Sequence, residues 1–102
     1  MLHLDLQIQP HTEQRLKKVL AATSDEEIFA QNIIAYHVAE LQKGAINLRL
    51  DLKQFEEKYH QTTEEFYQQF EQGHTDDTED AMLWAGLYEM LQDNERRVQE
   101  LT

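Results

Sequence analysis

The sequence predicts a mainly α-helical fold: an N-terminal β-strand able to pair across a dimer, then a long helix and a C-terminal helical hairpin. Three patterns carry that expectation. Leu2, Leu4, Leu6 and Ile8 alternate with His3, Asp5 and Gln7, which is the period-two signature of a half-buried strand. Ile34, Val38, Leu41, Ala45, Leu48, Leu52, Phe55 and Tyr59 recur at alternating steps of four and three, the spacing of a coiled-coil seam. Start signals built from Ser, Thr, Asp and Glu precede three apolar-periodic stretches, and the whole chain holds only one Pro and three Gly.

The first strand ends near Pro10, and a lone strand needs a partner, the simplest being the same strand of a second copy. From Pro10 or His11 to Thr23, the spacing of Leu16, Val19, Leu20 and Thr23 predicts a short amphipathic helix with its basic residues outward. Ser24-Asp25-Glu26-Glu27 reads as a capping box with Ser24 as the cap, so a new helix starts there. That helix runs into the seam. Residues 46–52 alternate as a strand would, but they lack turn residues on their C-terminal side and the heptad continues through Leu52, Phe55 and Tyr59, so a helix is expected. At about 1.5 Å per residue the seam would run on the order of 40 Å.

In the second half, Thr62-Thr63-Glu64-Glu65 is another capping box, followed by Phe66, Tyr67 and Phe70 on one helical face. Gly73 stands where a helix end favours a left-handed residue. Asp76-Asp77-Thr78-Glu79 repeats the start signal, and the last helix carries Trp84, Leu87, Leu91, Asn94, Val98 and Leu101 at three-four spacing. Asn94 is the single polar member of that face, able to fix register or simply exposed. The expected division is a dimerisation module over residues 1–43 and a helical partner-binding extension over residues 44–102.

Composition points to an interaction protein more than to an enzyme. In 102 residues, 9 Lys and Arg stand against 20 Asp and Glu, a formal charge of −11. The acid is concentrated late: residues 62–80 hold Glu64, Glu65, Glu71, Asp76, Asp77, Glu79 and Asp80 with no Lys or Arg. Such a surface repels nucleic acid and complements a basic partner, although a solvated helix face has the same composition. The chain has no Cys, which fits a reducing cytosol, and no basic-then-apolar leader or long apolar run, so a cytoplasmic location is expected. It has no Gly-rich phosphate loop and no cysteine nucleophile, and its only Ser is read as a cap, so neither catalysis nor a cofactor is expected.

The order of strand, helix and helix over about the first 40 residues resembles the ribbon-helix-helix family of small prokaryotic dimers. The likeness is carried by residues 2–8, by Leu16, Val19 and Leu20, and by Ser24-Asp25-Glu26-Glu27-Ile28-Phe29 leading to Ile33, Ile34 and Tyr36. The resemblance implies that His3, Asp5 and Gln7 face a major groove while Arg15, Lys17 and Lys18 meet phosphate. Asp5 departs from the pattern, since it offers phosphate the wrong sign.

A second resemblance covers about residues 55–92. Phe55-Glu56-Glu57-Lys58-Tyr59, then Thr63-Glu64-Glu65-Phe66-Tyr67-Gln68-Gln69-Phe70-Glu71-Gln72-Gly73, then Asp76, Asp77 and Asp80 before Trp84-Ala85-Gly86-Leu87-Tyr88-Glu89-Met90, are similar to the antitoxin half of type II toxin–antitoxin pairs. That likeness implies a homodimer that neutralises a toxin encoded beside it, with possible binding to its own operator. Tyr67, Phe70, Trp84, Tyr88 and Met90 would contact the partner as aromatic and soft apolar anchors within an acidic rim. The same residues also suit a local core between two short helices, to which Phe66, Phe70 and Trp84 would then belong.

Two alternatives stand beside this reading. One is a structural homodimer with no toxin, held by the 34–59 seam. The other is a ferritin-like di-iron protein, because Glu57 and His60 form an E-x-x-H pair and Glu27 could add a carboxylate. His74 with Asp76, Asp77, Glu79 and Asp80 lacks the glycine and spacing of a calcium loop, and helix capping accounts for its acids.

Overall fold

The computed structural model describes residues 1–102 as four helices: α1 (Pro10–Ala22), α2 (Glu26–Tyr59), α3 (Thr63–Glu71) and α4 (Glu79–Leu101). No strand forms, which overturns the expected N-terminal β-strand. The physical reason is that alternation supplies one half-apolar ladder edge, and the single chain offers no second strand to accept its hydrogen bonds. Residues 1–9 therefore stay outside regular structure, with Leu2, Leu4, Leu6 and Ile8 exposed.

The chain divides into two compact units, Met1–Ala35 and Tyr36–Thr102, and the division falls inside α2. In the first unit α1 begins with Pro10 at its first position, where a missing N–H costs nothing, after an uncapped Gln9. It ends at Thr23, whose N–H donates to the Leu20 carbonyl at 3.2 Å and whose hydroxyl donates to the Val19 carbonyl at 3.0 Å. The start of α2 is corrected by one residue. Asp25, not Ser24, is the cap, its carboxylate accepting from the backbone N–H of Glu27 at 2.9 Å and of Ile28 at 3.4 Å. An ionised carboxylate at a helix N-terminus gains from the helix dipole as well as from the hydrogen bonds. No side chain in residues 1–35 is buried.

The second unit is built differently. The stretch 44–52 is helical throughout, and the seam residues Leu48 and Leu52 are buried with Phe66, Ala81, Trp84, Ala85 and Leu91. Ala45, Phe55, Tyr67, Phe70, Leu87 and Tyr88 pack around them half-buried. The middle of the seam is thus covered by α3 and α4 of the same chain, and a second copy is not required to bury it. Ile34 at one end and Tyr59 at the other stay exposed, and Val38 and Leu41 are half-buried.

Contacts along α2 and α4 set these helices antiparallel. The Asn94 amide approaches the Leu41 carbonyl at 3.5 Å, Arg49 pairs with Glu95, and Lys58 pairs with Asp80 at 2.7 Å. Gly44 has a packing reason within this pair, since a Cβ there would lie 3.1 Å from the Asn94 amide nitrogen. The helix accepts the unfavourable propensity of glycine in exchange for that close approach. Asn94 is half-buried and therefore acts as a spacer between the two helices.

The turns are fixed by local hydrogen bonds. α2 stops where His60 takes a left-handed φ of 51°, with the Gln61 N–H closing on the Glu56 carbonyl at 3.3 Å. Thr62 caps α3 by accepting from the Glu65 N–H at 3.2 Å, and Thr78 caps α4 by accepting from the Ala81 N–H at 3.1 Å. Gly73, at φ 74°, ends α3: its own N–H reaches the Phe70 carbonyl at 3.1 Å and the next N–H, of His74, reaches Gln69 at 2.9 Å.

A core this small makes each buried side chain count. Leu91→Ala should lower stability by about 2–5 kcal/mol, read as a fall in the urea midpoint. Leu83→Ala, on the solvent side of the same helix, should change it by less than about 0.5 kcal/mol. Equal losses at the two positions would contradict the assignment of the core face of α4.

Candidate protein-interaction surface

The site is organised around Trp84, which is only 2% exposed. Its indole N–H donates to the Thr63 hydroxyl at 3.0 Å, and Thr63 is itself buried in the first turn of α3. The Thr63 backbone N–H in turn donates to the Glu56 carboxylate at 2.7 Å. One residue therefore ties the start of α3 to both α2 and α4. Three rings lie nearly parallel to the indole: Phe66 at 3.9 Å between centroids and 3°, Phe55 at 5.6 Å and 13°, and Tyr59 at 5.7 Å and 20°. Stacks of this kind contribute about 0.5–1.5 kcal/mol each beyond area burial.

Beside the stack lies a cleft of about 490 Å³, lined by Tyr59, Gln61, Phe66, Thr75, Asp76, Thr78, Glu79, Asp80, Ala81 and Trp84. Its wall is aromatic and its rim is acidic. At the rim, the Asp80 carboxylate accepts from both the Lys58 ammonium and the Tyr59 hydroxyl. The hydrogen bond from Lys58 and then that from Tyr59 hold Asp80 below the ordinary carboxylate range. The same bond to Asp80 raises Lys58 and Tyr59 above theirs. All three groups meet water, so the trio orients Tyr59 against Trp84 and adds little to stability. Asp76 and Glu79 leave acceptors directed at whatever enters, so the cleft suits a donor-bearing or cationic side chain above an apolar floor.

On the far side of α3, Tyr67 donates to the Glu89 carboxylate at 2.7 Å and meets Tyr88 edge-on at 4.9 Å. That hydrogen bond, reinforced by burial, pushes the Tyr67 phenol up to about 12.

No family model matches this chain, and no curated protein or solved structure matches it either.

The residues singled out by sequence fall into distinct places. His3, Asp5 and Gln7 lie in the irregular 1–9 segment, so no strand aligns their side chains on one face. Arg15, Lys17 and Lys18 are exposed on α1, with Lys17 3.8 Å from Glu13. Of the partner-contact residues, Trp84 is interior, Phe70 packs against Phe66 and Tyr67, Tyr67 and Tyr88 are half-buried, and Met90 is exposed. Glu57 and His60 border a groove of about 390 Å³ with Lys53, Glu56, Gln61, Thr62 and Glu65, whereas Glu27 belongs to the first unit. No group of three His, Asp or Glu side chains is arranged to hold a metal ion.

Sequence reasoning missed Met82 and Leu83, which are 57% and 53% exposed on α4. Their signal was present: they fall outside the Trp84, Leu87, Leu91 periodicity and so on the opposite side of the helix. Thr63 also escapes sequence reasoning as the partner of Trp84, because a capping-box residue carries no sequence signal of burial.

Two measurements probe this geometry. Thr63→Val leaves the buried indole N–H without an acceptor and should cost about 1–3 kcal/mol, whereas Thr63→Ser should retain most of the stability. Comparable thermal denaturation of Val and Ser variants would rule the hydrogen bond out. In a spectrophotometric titration, Tyr67 should ionise near 12 and Tyr67→Phe should remove that late step. The folded state holds this proton to higher pH than the unfolded chain does. Its contribution to stability is therefore complete below about 10 and lost as pH rises through about 12.

Proposed function

We propose that this chain is a non-enzymatic protein-interaction module that neutralises a basic protein encoded beside it, as the antitoxin half of a type II toxin–antitoxin pair does. The carrying observation is that residues 1–35 leave Leu2, Leu4, Leu6, Ile8, Val19, Leu20, Ile28, Ile33 and Ile34 exposed and bury nothing. A segment with that much unburied apolar surface gains stability by covering it with another polypeptide. The charge pattern supports a basic partner: residues 59–95 contain Glu64, Glu65, Glu71, Asp76, Asp77, Glu79, Asp80, Glu89, Asp93 and Glu95 but no Lys or Arg.

The proposal places the chain in the cytosol; no helix of it is long and apolar enough to cross a membrane. Operator contact enters only through Arg15, Lys17 and Lys18, whose exposure leaves their charges available to phosphate. The unburied residues of the first unit equally favour a second reading, a structural homodimer with no toxin. The two readings differ in who covers those side chains.

Co-expression with the adjacent reading frame should yield a co-purifying complex and relieve that product's toxicity. A partner that neither co-purifies nor is relieved removes the antitoxin reading. Sedimentation equilibrium of the chain alone then decides the second reading, which requires a dimer that Ile33→Asp weakens.

A further inference from the structure

The outer side of α4 carries an apolar patch for which the chain supplies no cover. Met82, Leu83 and Met90 are each more than half exposed, and at about 100° per residue they surround Gly86 on the helix surface. Glycine is the least favourable residue after proline for a helix interior. Gly44 is explained by Asn94 and Gly73 by its positive φ, but a Cβ on Gly86 would meet nothing within 4 Å. The chain's own packing thus gives no reason for glycine at position 86. What its missing side chain creates is a notch, floored by helix backbone and walled by two flexible methionines and a leucine.

Charge selects the occupant. Glu79 lies on the same side about two turns before Gly86 and Glu89 flanks it, with no Lys or Arg between Lys58 and Arg96. Arg97, held to Asp93 at 3.2 Å, bounds the patch at its C-terminal end. A second copy meeting the patch through the same face of α4 would bring the same carboxylates to the contact and be repelled. We propose that this notch receives an amphipathic helix of a basic partner, one of whose apolar side chains seats on Gly86 between Met82, Leu83 and Met90. Lys or Arg residues beside that side chain meet Glu79 and Glu89. Methionine side chains repack at little cost, which suits them to line such a seat. This inference rests on the protein-partner reading above and names the surface and the chemistry it would use.

The methionine methyl groups give a direct readout, because the chain has three: Met1, Met82 and Met90. The full chain, labelled at those methyls, is titrated with a synthetic helical peptide carrying Leu on one face and Lys and Arg on both flanks. An otherwise identical peptide with Glu for Lys and Arg is the control. The basic peptide should shift the Met82 and Met90 signals saturably and leave Met1 unmoved. Gly86→Leu fills the notch and should weaken that binding about tenfold. Gly86→Ala should raise the melting temperature of the free chain, since it adds a helix-favouring methyl in open space, and this separates a binding role from a folding role. Silent Met82 and Met90 signals, equal binding of the acidic peptide, or undiminished binding by Gly86→Leu would each overturn the notch. So would self-association that Gly86→Leu abolishes. Full-strength co-purification of the adjacent gene product with the Gly86→Leu chain overturns the notch and leaves the proposed function standing. Specific peptide binding in the absence of any such gene product does the reverse.

Discussion

The hydrogen bond from the Trp84 indole to the Thr63 hydroxyl is the constraint on which the second unit turns. Burying an indole without an acceptor would forfeit much of what its large apolar surface contributes. The acceptor must therefore sit at one fixed point beside the ring, and the chain places it at the first residue of α3. That position is already determined twice over, by the Thr62 cap behind it and by the Glu56 carboxylate on its backbone N–H. Once Thr63 is set, Phe66 follows one turn later and lies against the indole at 3.9 Å. The short helix is thus anchored at its start.

This arrangement decides what remains on the surface. Leu48, Leu52, Ala81, Ala85 and Leu91 are drawn inward around Trp84, so the outward faces of α3 and α4 are left with carboxylates and a few large apolar side chains. Some carboxylates have internal uses: Asp80 holds Lys58 and Tyr59, Glu89 holds Tyr67, and Glu95 holds Arg49. Asp76, Asp77 and Glu79 gather at the entry to α4, where the helix dipole favours negative charge, and Asp76 and Glu79 also edge the cleft. The same acidic residues therefore cap a helix, orient neighbouring side chains and set the charge of the cleft rim.

Much of the helical half was legible because its signals are local. The Thr62 and Thr78 starts, the Gly73 stop and the face from Trp84 to Leu91 each depend on residues within one or two turns. The failures share a different cause. The alternation of residues 2–8 specifies a strand only if another strand is present, and the chain alone has none. The heptad from Ile34 to Tyr59 announces that a helix will be covered, but spacing carries no label for what covers it; α3 and α4 cover its middle, and Ile34 and Tyr59 stay exposed. Ser24 and Asp25 are both good caps standing one residue apart, so composition alone does not choose between them. Gly44 and Gly86 look alike in sequence; only the position of Asn94 separates a glycine packed against its own chain from one that faces open space.

The two units differ in how far their apolar surface is satisfied within the chain. Tyr36–Thr102 contains every buried residue, an acceptor for its one indole, and no buried side-chain polar atom without a partner. Met1–Ala35 has well-formed helical segments, but the burial that normally sustains helices of this length is missing. Local signals suffice to set where α1 and α2 begin, since Pro10 and the Asp25 carboxylate act on adjacent backbone. They contribute little once the apolar side chains have nowhere to go. An unfilled interior of this kind is tolerated most easily in a protein whose working state includes a second polypeptide, because association then contributes the burial that the chain withholds from its own folding. The difference also orders the expected response to denaturant: residues 1–35 should loosen before the core around Trp84, and a partner that covers them should bring the two transitions together.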